Sequence, residues 1–228
     1  MTNRNIVPVL ILAASLFAAC NSKSKLVAEE PRIKLMDTAI TASLAKTIES
    51  GVTPKLAEGL TLKLWGIDSL VADPVSIDID EQGRIYYTRT NRQKNSEFDI
   101  RSHQDWEIQM IQLSSIEEKR AFLRKELAPE NSDKNKWLRD VNGDSSHDWR
   151  DMTVEKEHVY RVEDVNGDGI ADKSQLVVED FNEEVTDAAG GVLKHGNDLF
   201  VAIGPDMWRI KENKIGTAAS KTSISHGY

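Results

Sequence analysis

The sequence predicts a mainly β fold: an incomplete β-propeller, the first blades only, with a long, partly helical insertion and a short N-terminal helix. Three observations carry this. From residue 59 onward apolar residues alternate with polar ones in short runs, the period of half-buried strands. Acidic or glycine-closed turns separate those runs at blade-like spacing. Between about 90 and 152 the alternation stops and a helical pattern replaces it.

The first residues stand apart from that fold. "IVPVLILAASLFAA" is an apolar run too short to span a membrane as a mature helix, and it ends at Cys20, the single cysteine of the chain. Small residues followed by cysteine read as a lipoprotein signal peptide, residues 1–20, with lipid added to the Cys20 thiol. The expectation is an exported protein of the cell envelope, lipid-anchored and periplasm-facing, with the membrane as partner through Cys20. One cysteine leaves no intrachain disulfide and no cysteine-based zinc site. A net charge of -8 argues against nucleic acid as a partner.

Residues 21–58 read as a polar tether and a short helix, with Ile33, Met36, Ile40, Leu44 and Ile48 at helical spacing and Gly51 as the stop. Residues 59–228 read as the partial propeller. "LTLKLWG" alternates from Leu60, and "PVSIDIDEQGRIYYTRT" reads as a hairpin turning at "DEQG". In the insertion, Ser114 and Glu117 suggest a capping box opening a helix that ends before Pro129. Sheet returns at "HVYRVED", "SQLVVEDF" and "AGGVLKHGNDLFVAIGPDMWRI".

"DVNGDGIADK" is the chemical signal. Asp164, Asn166, Asp168 and Asp172 fall at positions 1, 3, 5 and 9 of a calcium loop, Gly169 sits at position 6, and Ile170 would offer its carbonyl. Gln175 stands where a sensor loop carries glutamate, and both flanks read as strands, so the loop is expected to hold calcium as an architectural ion or to be a solvated acidic hairpin. A partial copy, Asp140, Asn142, Asp144 and Asp148, has Ser145 at the glycine position and forms a weaker second candidate. No nucleotide, hydrolase or zinc-protease motif occurs. His103, beside Asp105 and Trp106, is a candidate pocket residue; Trp106, Trp149 and Trp208 suit either core positions or sugar stacking.

"SLVADPVSIDIDEQGRIYY", "SSHDWRDMTVEKEHVYRVEDVNGDGIADKS", "VTDAAGGVLKHGNDLFVAIGPDMWRI" and "TSISHGY" together resemble the N-terminal propeller of bacterial haem-linked, membrane-bound dehydrogenase-like lipoproteins. That propeller is similar to those of quinoprotein sugar and sorbosone dehydrogenases. The resemblance implies an N-terminal fragment whose full-length protein acts on a carbohydrate, with pyrroloquinoline quinone as cofactor and haem c in a later region, since no CxxCH occurs here. It makes His226 a candidate catalytic residue. By itself the fragment is expected to be inactive. The alternative is a non-catalytic propeller binding glycan or a protein partner.

Overall fold

The computed structural model describes residues 32–93 and 95–227. The expected signal peptide, Cys20 and most of the expected tether lie outside the described residues. The molecule is mainly β, with two antiparallel sheets and few helices. The first sheet runs β1 (Ile33–Leu35), β5 (Lys173–Phe181), β4 (Glu157–Glu163), β3 (Ile85–Arg89), β2 (Pro74–Ile79), and the second runs β6 (Ala189–His195), β7 (Asp198–Ile203), β8 (Asp206–Glu212), β9 (Ala218–His226).

Strands β2 (Pro74–Ile79) and β3 (Ile85–Arg89) form the expected hairpin. Asp80 closes it: its Oδ1 accepts from the backbone N–H of Gln82 and Arg84, and Gly83 takes φ +76°. Strands β4 (Glu157–Glu163) and β5 (Lys173–Phe181) continue the meander on the far side of the insertion. The second sheet repeats this plan with β6 (Ala189–His195), β7 (Asp198–Ile203), β8 (Asp206–Glu212) and β9 (Ala218–His226). The two sheets pack face to face over Tyr86, Val159, Val177 and Phe181 from one and Leu199, Val201, Ile203 and Ile210 from the other. Polar ties lock their relative position: Thr88 Oγ1 donates to the Gly190 carbonyl at 2.7 Å, and the Lys194 N–H to Asp78 Oδ2 at 2.6 Å.

Three expectations are corrected. The N-terminal helix does not begin near Ile33. Residues Ile33–Leu35 form β1, paired to the edge of β5, and α1 spans Thr38–Ser50, capped by the Asp37 carboxylate on the N–H of Ala39 and Ile40. An aspartate cap satisfies orphan amides that Ile33 could not, so the helix starts there. The alternating "LTLKLWG" is coil. Leu60 and Leu62 are exposed, and the segment is held by single bonds from Leu64 N–H to Glu49 and from Ala171 N–H to the Trp65 carbonyl. Its alternation has no neighbouring strand to pair with. The helix cap in the insertion lies one residue later than read: Ser115 caps α3 (Ile116–Glu126), and Glu118 reaches back to the Ser114 N–H.

The insertion links β3 to β4 through α2 (Glu107–Ile111), α3 and three short 3-10 turns. It has its own core of Leu123, Leu127, Leu138 and Met152, with Val185 contributed by the β5–β6 connection. Arg92 fastens it. The fully buried guanidinium donates to the carbonyls of Thr186, Met152, Glu183 and Ser96. The buried Glu157 carboxylate accepts from the N–H of Arg92 and Asn91 on one side and of Ala189 on the other.

Candidate functional site

Strand pairing gives the molecule two distinct ends. At one end Glu157 opposes Phe181, Ala189 opposes Ile203, and Asp206 opposes His226, so the insertion, the β5–β6 connection and the close of β9 gather there. At the other end lie the Asp80 turn, the 164–172 loop, and the turns at 196–197 and 213–217.

His226 occupies the insertion end. The β8–β9 register sets it across from Asp206, whose carboxylate is nearly buried. Asp206 can only accept, so His226 Nδ1 donates to Asp206 Oδ1 at 2.8 Å; Ser223 Oγ donates to the same oxygen at 2.5 Å. This fixes the ring and leaves Nε2 as the nitrogen that can take a proton. Nε2 faces outward, with the exposed Glu117 carboxylate of α3 at 3.9 Å. The geometry is that of an oriented general base, a histidine held through its other nitrogen by a buried carboxylate. Asp206 was not legible as its partner, because twenty residues separate the two and only the strand register joins them.

Around this dyad the cations are already matched. Arg120 pairs with Glu183 at 2.5 Å and with Glu184 at 3.1 Å, and Lys119 reaches Asp187 at 3.4 Å. Lys221 pairs with Asp180 at 2.9 Å and lies 4.4 Å from the ring centroids of both Phe181 and Trp208. The neighbouring cavities measure about 60 Å³, beside Asp206 and Trp208, and about 240 Å³, beside Ser115 and Gly227. A tricarboxylate quinone needs uncommitted cations and an enclosing pocket. The residues at this end offer neither, so pyrroloquinoline quinone does not fit here.

His103 sits in the aromatic packing of the insertion, stacked on Trp106 at 4.7 Å and against Trp137 at 4.1 Å. Burial lowers its pKa, against the opposing pull of Asp105 and Asp99. Trp106 and Trp149 pack on the insertion core, and Trp208 on the core between the sheets.

The 164–172 loop lies at the opposite end, between β4 and β5. Asp164 Oδ1 accepts from the Gly167 N–H at 2.7 Å and Oδ2 from the Gly169 N–H at 2.8 Å. Asn166 accepts from the Asp168 N–H, Asp168 from the Ile170 N–H, and Asp172 from the Val165 N–H. Gly169 has φ +91°, the curl its position requires. Among the described residues no three His, Cys, Asp or Glu side chains are grouped to hold a metal ion. The donor set itself suits calcium, since each carboxylate has about four lone-pair sites and its N–H bonds leave some of them open.

The 140–151 loop repeats these bonds. Asp140 accepts from Gly143 and Ser145, Asn142 from Asp144, and Asp144 from Ser146. Two features separate it. Position 12 carries a fully buried carboxylate, Asp151, which accepts from the N–H of Val141, Asn142 and Asp148 and was missed because the motif reading stopped at position 9. And Arg150 already supplies positive charge, 2.6 Å from Asp148 and 3.4 Å from Asp144. Hydrogen bonding from that guanidinium holds the Asp148 carboxyl far below the ordinary carboxylate range.

A cavity of about 850 Å³ is also at this second end, lined by Arg84, Arg161, Lys194, Lys211 and Glu212. Its floor is a closed charge network: Glu212 pairs with Arg161 at 3.0 Å and Lys194 at 2.9 Å, and the Tyr86 hydroxyl reaches Glu212 at 3.3 Å. It lies at the opposite end of the sheets from His226.

Residues 48–228 match the model of a family described as Domain of unknown function (DUF7133). No curated protein and no solved structure gives a match. With the match running from the last turn of α1 through both sheets, the chain belongs to the DUF7133 family.

Proposed function

We propose that the two sheets are successive propeller blades of an exported, lipid-tethered dehydrogenase-like protein acting on a sugar alcohol or aldose. His226, oriented by Asp206, takes the hydroxyl proton as hydride leaves the carbon. The observation that carries this is the 2.8 Å Nδ1 to Asp206 contact, with Nε2 facing outward at the insertion end. Two successive four-stranded meanders, with β6 packed against β2 and β3, support the blade reading. The hydride acceptor is proposed to be a quinone held by elements other than these two sheets, since the cavities beside His226 do not fit one. Calcium is proposed for the Asp164 loop alone, as an architectural ion, because Arg150 serves the other loop.

The test uses the protein in its longest native form, purified from its cells. His226→Asn should cut aldose-dependent dye reduction by about 10²–10⁴-fold, the usual worth of a general base. Unchanged turnover in a folded His226→Asn protein removes the proposal. The 228-residue chain alone is expected to turn over no aldose, even with added quinone and dye.

A further inference from the structure

Nine of the twenty large apolar side chains left exposed among the described residues lie within 33–62. On α1, Ile40, Leu44 and Ile48 are spaced by four, so they form one stripe, 54, 40 and 40 % exposed, beside the buried Thr41 and Ala45. The coil after the helix continues the exposed apolar run through Val52, Leu56 and Leu60. Between 32 and 63 the chain carries five basic and three acidic side chains, a net +2. The rest of a chain of net -8 therefore carries -10. The apolar helix face lies in a stretch that, with Arg32 and Lys63 at its borders, is net positive within an acidic protein, the composition of an interfacial helix on an anionic bilayer.

We propose that the 33–62 surface seats on an anionic lipid bilayer, with α1 lying in the interface on its Ile40, Leu44 and Ile48 face. This rests on the lipid-anchor reading of Cys20. Twelve residues separate Cys20 from Arg32, a reach of at most about 40 Å when fully extended. An anchored Cys20 holds α1 beside the bilayer at high effective concentration, so a short amphipathic face suffices where it would be too weak alone. A second copy is the poorer occupant, because a symmetric contact would set one net-positive surface against another. No helix among the described residues is long and apolar enough to cross the membrane, which fits a segment that lies on it.

The experiment exploits the single cysteine. With Cys20 lipidated, Leu44→Cys supplies the one free thiol, labelled with an environment-sensitive fluorophore. Asn197→Cys, on the exposed β6–β7 turn, serves as the distant control. The protein is reconstituted into phosphatidylethanolamine–phosphatidylglycerol vesicles carrying lipids spin-labelled high in the acyl chain. The label at 44 should be blue-shifted and quenched several-fold more than the label at 197. Lys46→Glu with Lys55→Glu should reduce that quenching on anionic vesicles more than on neutral ones. Equal quenching at the two positions overturns the proposal. So does a blue shift at 44 that needs no vesicles and grows with protein concentration, since a second copy would then cover the face. Intact mass reports the anchor separately. If Cys20 carries no lipid, the proposal falls with the anchor it rests on, whatever the quenching shows.

Discussion

Ser145 takes φ +70° where its counterpart Gly169 takes +91°. A side chain in that left-handed conformation costs on the order of 1 kcal/mol or more, and glycine removes the clash while adding freedom to the unfolded chain. Ser145→Gly is expected to stabilise the protein by about 0.5–1 kcal/mol, seen as a higher urea midpoint at unchanged slope. Tyr86 behaves differently. Burial, then the Glu212 carboxylate, pushes its phenol up to about 12. A folded value raised above the unfolded one means the stabilisation is complete below pH of about 10 and is lost as pH rises through about 12. Wild type should lose about 2 kcal/mol more than Tyr86→Phe between those limits, measured by urea unfolding at each pH. At this scale the sequence was only partly legible. The acidic loop and its glycine show in spacing alone, as does the strained Ser145. The Asp206–His226 dyad and Tyr86–Glu212 do not, because strand register and sheet packing bring their members together.

At the scale of elements, alternation was a reliable guide wherever both faces of a strand have something to meet. Leu199, Val201 and Ile203 of β7 are buried and their intervening residues half-buried, which is the pattern their sequence shows. Strand β9, "AASKTSISH", carries no such signal, since it lies at the sheet edge and most of it is exposed. Leu60 and Leu62 show the opposite failure, a strand pattern in a segment with no partner strand. The loop joining β4 to β5 yields a prediction about that element. Asp164, Asp168 and Asp172 all fall within this one bend, each with lone pairs left open beside its N–H bonds. Calcium at a hundredfold its dissociation constant should therefore add about 2.7 kcal/mol to stability. Asp164→Ala should abolish the gain; a melting temperature that ignores both chelator and calcium removes the metal from the account.

The whole molecule depends on how the insertion joins the sheets. Arg92 donates to four carbonyls from three stretches of chain, and the Glu157 carboxylate accepts from both sides of it. Arg92→Met would leave those carbonyls dry and the buried carboxylate short of its neighbouring charge. A loss of about 3 kcal/mol is expected, read by chemical denaturation. The boundaries of the insertion were visible as a break in period, whereas its fastening was not, because an arginine in a polar stretch looks like a solvated one. The two-ended layout carries a further consequence. Strand β4 separates the proposed ion loop from the His226 end by seven residues, roughly 20 Å of extended chain, more than twice the distance of about 8 Å over which physiological salt damps a charge. Stripping the ion should then spare proton abstraction and shorten survival at high temperature: the protein would stop working by melting, not by poisoning.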